Sequence, residues 1–180
     1  MLAAVAEPRR VIVVGGPGSG KTTVAGALAR RLGVDHVELD ALWWGPDWTP
    51  VPVDAFTARV RAATAGDSWV LDGNYFDVVP DLVWPLADTL VWLDLPRARC
   101  VARTLLRTAG RIVRRRSLWG TNRQRVRDLG PRSVIGLVRR WPTYSAGIAA
   151  LVSRFPVDHP TVVRLTSVKA VRRWLGGGLG

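Results

Sequence analysis

Sulfur and long apolar runs are both scarce in this sequence. Cys100 is the one cysteine in 180 residues, which excludes an intramolecular disulfide and a cysteine-based metal site. The longest stretch without a charged residue, residues 141–153, has 13 residues and contains Pro142, whereas a membrane span needs about 20 apolar residues. The first ten residues lack the basic start of a signal peptide. We therefore expect a cytoplasmic protein that does not cross a membrane.

Lysine is also rare, and acidic residues are almost missing from the second half of the chain. Among the 26 basic residues only Lys21 and Lys169 are lysines. Residues 1–96 carry seven basic and twelve acidic residues, a net charge of −5, whereas residues 97–180 carry nineteen and two, a net charge of +17. Arginine can bind two phosphate oxygens at once. The basic half therefore predicts an anionic ligand, and a nucleotide, a polynucleotide and an anionic lipid all remain open.

The remaining composition is that of a folded domain. Hydrophobic residues make up 48% and charged residues 22%, as in ordinary soluble globular proteins. The length corresponds to one domain with one core. We predict a single domain over residues 1–175 and a disordered glycine-rich tail over residues 176–180.

Short apolar runs alternate with helical repeats along the chain. The runs that predict strands are residues 10–14, 36–40, 69–72, 89–94 and 161–165. The repeats that predict helices are residues 21–32, 54–65, 96–109, 134–140, 143–154 and 168–175, with Asp54 and Ser167 as N-caps. Strands that alternate with helices predict an α/β fold whose parallel sheet is covered by helices on both faces.

The loop between the first strand and the first helix carries the clearest chemistry. Residues 15–22 read GGPGSGKT, which fits the P-loop pattern G-x-x-x-x-G-K-[ST]. Such a loop turns backbone N–H groups towards a polyphosphate, its lysine reaches the β- and γ-phosphates, and its threonine ligates Mg²⁺. The predicted ATP-binding residues are Gly15, Gly16, Pro17, Gly18, Ser19, Gly20, Lys21, Thr22 and Thr23.

Three predicted strands end in an aspartate, and a P-loop needs such an acid near its metal. These residues are Asp40, Asp72 and Asp94. Asp94 comes just before the helix that begins at Pro96, which favours a structural role. We predict that Asp72, together with Thr22, holds Mg²⁺. Asp40 is then free to act on the acceptor side of the reaction.

Four arginines recur at every fourth position around the helix predicted at residues 96–109. They are Arg99, Arg103, Arg107 and Arg111. Like charges at this spacing repel each other and no acid lies nearby in sequence, so the row is predicted to face an anion. Further arginines follow, and we predict an Arg-rich helical lid over residues 108–140 that covers phosphates. The catalytic candidates in this half of the chain are Arg103, Arg107 and Arg139.

Four segments carry a resemblance to a known family. They are GPGSGKT at 16–22, LDALWW at 39–44, WVLDGNY at 69–75 and ADTLVWLDLPR at 87–97. In this order they resemble the small adenylate-kinase-like P-loop proteins often labelled DNA topology modulation proteins, over residues 10–175. The resemblance implies a three-layer P-loop NTPase fold with a five-stranded parallel sheet in the order 2-3-1-4-5. It also implies that Asp72 helps hold Mg²⁺ and that Arg103 and Arg107 contact the nucleotide.

The acceptor side departs from the pattern of nucleoside monophosphate kinases. In those relatives an LDG segment is followed by FPR, whose arginine binds the acceptor, whereas here NYFD follows at residues 74–77. A hydroxyl acceptor benefits from a carboxylate that takes its proton. We therefore predict a nucleoside- or sugar-like acceptor with Asp40 as catalytic base, while core packing remains the alternative for the tryptophans. The predicted acceptor residues are Asp40, Trp43, Trp44, Asn74 and Tyr75.

Two functions from different classes follow from the sequence. The first is a P-loop kinase that moves the γ-phosphate of Mg-ATP to a small acceptor, with Lys21, Asp40 and the arginines as catalytic residues. The second is a nucleic-acid-binding ATPase acting on DNA topology, which the basic half and the family label favour. A regulatory GTPase is disfavoured because the sequence has no Asn-Lys-x-Asp motif.

Overall fold

The computed structural model describes residues 8–75, 77–114, 117–119, 122–123, 131–153 and 160–177. The strands are β1 (Arg10–Gly15), β2 (His36–Glu38), β3 (Trp69–Asp72), β4 (Thr89–Leu93), β5 (Ser117–Leu118), β6 (Asn122–Arg123) and β7 (Thr161–Leu165). The helices are α1 (Lys21–Leu32), α2 (Leu39–Trp43), α3 (Val53–Ala63), α4 (Val79–Val83), α5 (Arg97–Val113), α6 (Pro131–Val152) and α7 (Val168–Gly176). Short 3₁₀ turns lie at Pro46–Trp48 and Trp84–Leu86.

Five parallel strands form the central sheet in the order β2-β3-β1-β4-β7. Counted among these five strands alone, the spatial order is 2-3-1-4-5. The last strand is β7 because the two-stranded antiparallel ribbon β5–β6, which the sequence pattern did not predict, comes before it. The predicted α/β class with a parallel five-stranded sheet is confirmed.

Alternate residues of β1 enter two different cores. Ile12 and Val14 pack in the cluster that α3, α4 and α6 cover. Val11 and Val13 pack in the cluster that α1, α5 and α7 cover. Because side chains point to opposite faces at every second residue of a strand, β1 forms the centre of a three-layer structure. The loop that follows β1 is therefore anchored in the most deeply buried part of the sheet.

Two predicted boundaries are wrong, the end of strand β2 near Asp40 and the start of helix α3 near Asp54. Strand β2 ends at Glu38, so Asp40 is not a strand-end residue but lies in helix α2. The helix begins there because the buried side chain of Leu39 packs into the core. Asp54 is not an N-cap, since α3 begins at Val53 and Asp54 lies in its first turn. The cap predicted at Ser167 is confirmed, because its side chain accepts a hydrogen bond from the Ala170 N–H.

The two helices predicted on either side of Pro142 form one helix, α6. Proline removes one N–H donor from a helix, at a cost of about 3 kcal/mol. Tertiary packing offsets this cost, because Trp141 packs against one core cluster while Ile148 and Leu151 lie in the other. None of the helices within the described ranges is both long enough and apolar enough to cross a bilayer.

The predicted lid region differs from the sequence prediction in two ways. It contains two short strands, and helix α5 extends further into it. Helix α5 continues to Val113 instead of ending near residue 109. The lid is not purely helical, because the β5–β6 ribbon lies between α5 and α6. Residues 115–116, 120–121 and 124–130 of the predicted lid lie outside the described residues. Helix α7 extends through Gly176, so the predicted tail is shorter, and its last three residues also lie outside them.

Candidate active site

The loop after β1 has the backbone of a phosphate-binding turn. Gly15, Gly18 and Gly20 have φ angles of 155°, 79° and 99°, which residues with a Cβ rarely adopt. The carbonyl of Gly16 accepts the N–H of Ser19 at 3.1 Å and closes the turn. Helix α1 begins directly after Gly20, so its N-terminal amides point into the loop. The loop therefore presents the arrangement of donors that an anion needs.

Lys21 spans this loop from within. Its Nζ donates to the carbonyl oxygen of Gly15 at 2.8 Å and lies 3.4 Å from that of Gly16. Burial lowers the pKa of Lys21, whereas the nearby carboxylates of Asp72 and Asp40 raise it. The ammonium is thus held beside the loop backbone, in reach of a phosphate bound there.

Thr22 and Asp72 meet as predicted. The Thr22 hydroxyl donates to Oδ2 of Asp72 at 2.7 Å, and Asp72 is 4% exposed at the end of β3. The other carboxylate oxygen, Oδ1, lies 2.9 Å from Nε2 of His36. That contact is the largest cause of the raised pKa of His36. Sequence analysis missed His36, which lies in the edge strand β2.

Asn74 lies in a different part of the site from the one predicted. Its Nδ2 donates to the carbonyl of Gly15 at 2.9 Å, and its Oδ1 lies 3.3 Å from the N–H of the same glycine. Because both amide atoms are engaged with the backbone of Gly15, Asn74 braces the P-loop from the end of β3. The assignment of Asn74 to the acceptor stays a prediction, and the contacts seen here are with the P-loop.

The arginine row of α5 reaches the P-loop through two of its members. Arg103 donates from Nη1 to the carbonyl of Ser19 at 3.3 Å. Partial burial lowers the pKa of Arg107, and the carboxylate of Asp40 raises it. Both arginines line a cavity of about 280 Å³ together with Gly18, Gly20, Thr22, Thr23 and Leu106. This cavity opens directly beside the loop, which is where a nucleotide would extend from its phosphates.

Asp40 and Tyr75 form a pair on the far side of the loop. The Tyr75 hydroxyl donates to Oδ1 of Asp40 at 2.6 Å. Burial and the Asp40 carboxylate together raise the pKa of Tyr75, so the phenol stays protonated and remains a donor. The ring of Tyr75 packs against Trp43 and Phe56 at centroid distances of 5.6 and 5.0 Å. Trp43 is therefore in part a core residue, as the packing alternative anticipated.

Asp94 is paired with an arginine of the neighbouring strand β7, and Arg139 lies on helix α6. Oδ2 of Asp94 accepts Nε of Arg164 at 2.9 Å, which agrees with the structural role predicted for it. Arg139 is exposed and lies two positions before Trp141 on α6, so the two side chains point about 200° apart. The catalytic role of Arg139 stays a prediction.

Comparison with known proteins agrees with this geometry over the first third of the chain. The family model described as ATPase family associated with various cellular activities (AAA) matches residues 11–66, which include β1, the P-loop and α1. The chain has the fold of a P-loop NTPase. A search of curated proteins found no match. The matched segment contains the nucleotide-binding loop and ends before Asp72, Asn74, Tyr75 and the predicted lid.

The residues of this P-loop NTPase fit Mg-ATP, which the family match implies as its ligand. Ser19, in the loop, has a buried hydroxyl that finds no hydrogen-bond partner among the residues the structure describes. Thr22 and Asp72 offer oxygen atoms, the donors that Mg²⁺ prefers, and Mg²⁺ typically takes only one or two protein ligands beside water and phosphate. Lys21 and Arg103 supply positive charge on two sides of the loop. The set therefore matches the needs of a magnesium-bound polyphosphate.

Trp141 is a further residue of the NTPase site that sequence analysis did not assign. Its indole lies so close to the P-loop that a Cβ added at Gly16 would fall 2.8 Å from its Cζ2 atom. Because α6 packs against the loop at this point, residue 16 has no room for a side chain. The signal in the sequence was weak, since the tryptophan is more than one hundred residues away from the loop.

We expect Gly16→Ala to destabilise the protein by about 1–3 kcal/mol, because the added methyl overlaps the indole of Trp141. Gly110→Ala is the matched control, since Gly110 lies in α5 with no atom near its Cβ position. Alanine there should stabilise the helix by about 0.5–1 kcal/mol. Chemical denaturation of the two variants measures both effects. If Gly16→Ala is as stable as the control variant, α6 does not pack tightly against the loop.

Proposed function

We propose that this P-loop NTPase is an ATP-dependent phosphotransferase of the adenylate-kinase-like group, acting on a hydroxyl of a small nucleoside- or sugar-like acceptor. The pair formed by Asp40 and Tyr75 is the observation that carries the proposal. It puts a carboxylate close enough to Lys21 and Arg107 to raise the pKa of both side chains. The resemblance of the four sequence segments to that group supports the same class.

The acid–base properties of this pair suit a hydroxyl acceptor. Asp40 is exposed, so an incoming molecule can reach it, while Tyr75 fixes one of its two oxygens. The second oxygen is left to accept a proton from an acceptor hydroxyl. The ring of Trp43, which is only partly buried, lies next to the tyrosine and offers a surface on which a ring-shaped acceptor can pack.

The proposed transfer is an in-line displacement at the γ-phosphorus. The acceptor oxygen forms a bond to that phosphorus, the bond from it to the β,γ-bridging oxygen breaks, and ADP leaves. The acceptor proton passes to Asp40. Lys21 and Arg107 would stabilise charge on the phosphoryl oxygens, and Arg103 would orient the nucleotide. Bound Mg²⁺, held through Thr22 and Asp72, would neutralise phosphate charge.

Asp40→Asn tests the role of the carboxylate. We expect phosphoryl transfer to fall by about 10²–10⁴-fold, the range for loss of a general base, with ATP affinity unchanged. The amide keeps the shape of the side chain and an oxygen for the Tyr75 hydroxyl. Transfer from labelled ATP and calorimetric titration with Mg-ATP measure the two quantities. Transfer that persists in the variant would indicate a phosphate acceptor.

Tyr75→Phe is the partner variant for this test. It removes the hydrogen bond to Asp40 but leaves the base and the aromatic packing in place. The expected loss of transfer is therefore smaller than for Asp40→Asn. If both variants lose activity equally, the two residues act only as a structural pair.

A screen identifies the acceptor. Purified protein is incubated with γ-labelled ATP and separate sets of nucleosides, nucleotides, sugars and DNA. Label that appears on a nucleoside or a sugar supports the proposal. Label released only as inorganic phosphate, and only when DNA is present, supports a DNA-stimulated ATPase instead.

A nucleic-acid-binding ATPase is the second candidate, and the charge of the second half favours it. Several exposed arginines of α5 and α7 carry that charge in the described part of the chain, namely Arg97, Arg99, Arg172 and Arg173. If this reading holds, DNA affinity should fall linearly on a log–log plot against salt concentration, with a slope of roughly 0.9 per phosphate neutralised. Weak binding without such a slope would favour the kinase.

A further inference from the structure

Two side chains from different elements hold the two oxygens of the Asp72 carboxylate. The Thr22 hydroxyl, at the start of α1, donates to Oδ2 at 2.7 Å, and Nε2 of His36, in β2, lies 2.9 Å from Oδ1. A carboxylate only accepts hydrogen bonds, so Nε2 carries the hydrogen of the second contact whether the ring is neutral or charged. The side chains of His36 and Asp72 are 19% and 5% exposed, so little water competes for this bond.

The register of the sheet brings His36 to Asp72. In the parallel pair β2–β3, His36 lies opposite Val70 and Glu38 lies opposite Asp72. Residues two apart on a strand share a face, so His36 and Asp72 lie on the same face of the sheet. Val70 shares that face and packs in the core cluster that α1 covers. His36 and Asp72 therefore both face the helix that carries Thr22.

Helix α1 leaves room for the imidazole at Gly26. A Cβ built at Gly26 would lie 3.4 Å from Nδ1 of His36, which places the ring against the backbone of the helix. Glycine inside a helix costs about 0.5–1 kcal/mol relative to alanine. Gly26 and Thr22 are four residues apart and so share one side of α1. That side presents a hydroxyl to one oxygen of Asp72 and packs against the ring that binds the other oxygen.

A carboxylate held by one donor can still turn about its last side-chain bond. This torsion is broad in aspartate, so the residue alone does not fix where its oxygens face. The Thr22 hydroxyl holds one oxygen, but the same hydroxyl is a predicted magnesium ligand. The bond from His36 holds the other oxygen and comes from a group outside the predicted metal site. His36 therefore fixes the orientation of Asp72 independently of the metal.

We propose that His36 is a positioning residue of the magnesium site, which orients the Asp72 carboxylate for the metal that accompanies ATP. It acts through Asp72 and does not line the cavity beside the P-loop. The inference rests on the Mg-ATP binding that the proposed function includes, but it does not depend on which acceptor the protein phosphorylates. Groups that orient a metal-binding side chain typically contribute about 10–100-fold to metal affinity.

Metal affinity, measured apart from catalysis, tests the proposal. Electron paramagnetic resonance follows free Mn²⁺, a paramagnetic substitute for Mg²⁺, as it binds to the protein saturated with a non-hydrolysable ATP analogue. In His36→Asn, whose amide is too short to reach the position of Nε2, we expect the Mn²⁺ affinity to fall by about 10–100-fold. Calorimetry with the same analogue in EDTA should show an unchanged nucleotide affinity, because the phosphate-binding groups of the loop are untouched.

His36→Gln is the matched variant that should restore metal binding. Its longer amide reaches the position of Nε2 and can donate to Asp72, so the Mn²⁺ affinity should return close to that of the wild type. Asp35→Asn is the control, since Asp35 is exposed, precedes β2 and should leave both affinities unchanged.

His36→Phe keeps the proposal falsifiable if the asparagine variant does not fold, because it retains a ring against Gly26 and lacks only the donor. It should show the same loss of Mn²⁺ affinity. An unchanged Mn²⁺ affinity in either variant overturns the positioning role, and so does an equal loss in His36→Gln. If the wild-type complex binds no Mn²⁺, the magnesium site is wrong and the proposal falls with it, whatever the outcome of the acceptor screen.

Discussion

Lys21→Ala is expected to reduce both ATP hydrolysis and phosphoryl transfer by about 10³-fold or more, the upper range for loss of one preorganised group that stabilises transition-state charge. Lys21 is held at the carbonyl of Gly15, inside the loop that surrounds the phosphates. Alanine removes the positive charge at this point and leaves the glycines of the loop in place. Steady-state assays with labelled ATP measure the loss, and calorimetry with Mg-ATP measures the accompanying change in affinity.

Lys169→Ala provides a matched control, because Lys169 is the other lysine of the chain and lies exposed on α7. It removes the same charge from the protein without touching the loop. Its activity should equal that of the wild type. If Lys21→Ala still turns over ATP at the wild-type rate, the P-loop mechanism is wrong.

Arg107→Ala is expected to lower phosphoryl transfer by about 10³-fold, the scale on which an arginine that reaches the transferring phosphate acts. Arg107 lines the cavity beside the P-loop and lies close enough to Asp40 for the carboxylate to raise its pKa. In the transfer step its guanidinium would neutralise charge that develops on the γ-phosphate. Single-turnover kinetics with saturating ATP isolates this effect from binding.

Arg99→Ala tests whether the loss depends on position in the arginine row. Arg99 lies two turns before Arg107 on α5, and its side chain is exposed. Its replacement should change transfer by less than tenfold. A loss below tenfold for Arg107→Ala as well would reassign Arg107 to the solvated face of the helix.

Local sequence patterns were sufficient to predict the chemistry of the loop and the class of the fold. Other residue types cannot easily replace the glycines of residues 15–20, because several of these positions need φ angles that only glycine adopts easily. The apolar runs of β1, β3 and β4 alternate with helical repeats, and this alone implies a parallel sheet. The pairing of Thr22 with Asp72 followed from the requirement for an acid at the end of a strand beside β1.

Sequence patterns did not predict the contacts that a residue makes with distant segments of the chain. Asn74 has the polarity of a ligand-binding residue, but its amide finds a backbone partner at Gly15. Pro142 marks the end of a helix by local rules, yet packing on both sides of it keeps α6 continuous.

The sequence by itself determined the P-loop, the central sheet and the charge difference between the two halves, because each depends on residues close together in the chain. The tertiary structure decided which side chains support the loop and the turn at residues 45–48. His36 on Asp72, Trp141 on Gly16 and Asn122 on the turn at 45–48 are all contacts between remote segments. Such contacts arise only when the sheet order brings their elements together, so no local pattern in the sequence predicts them.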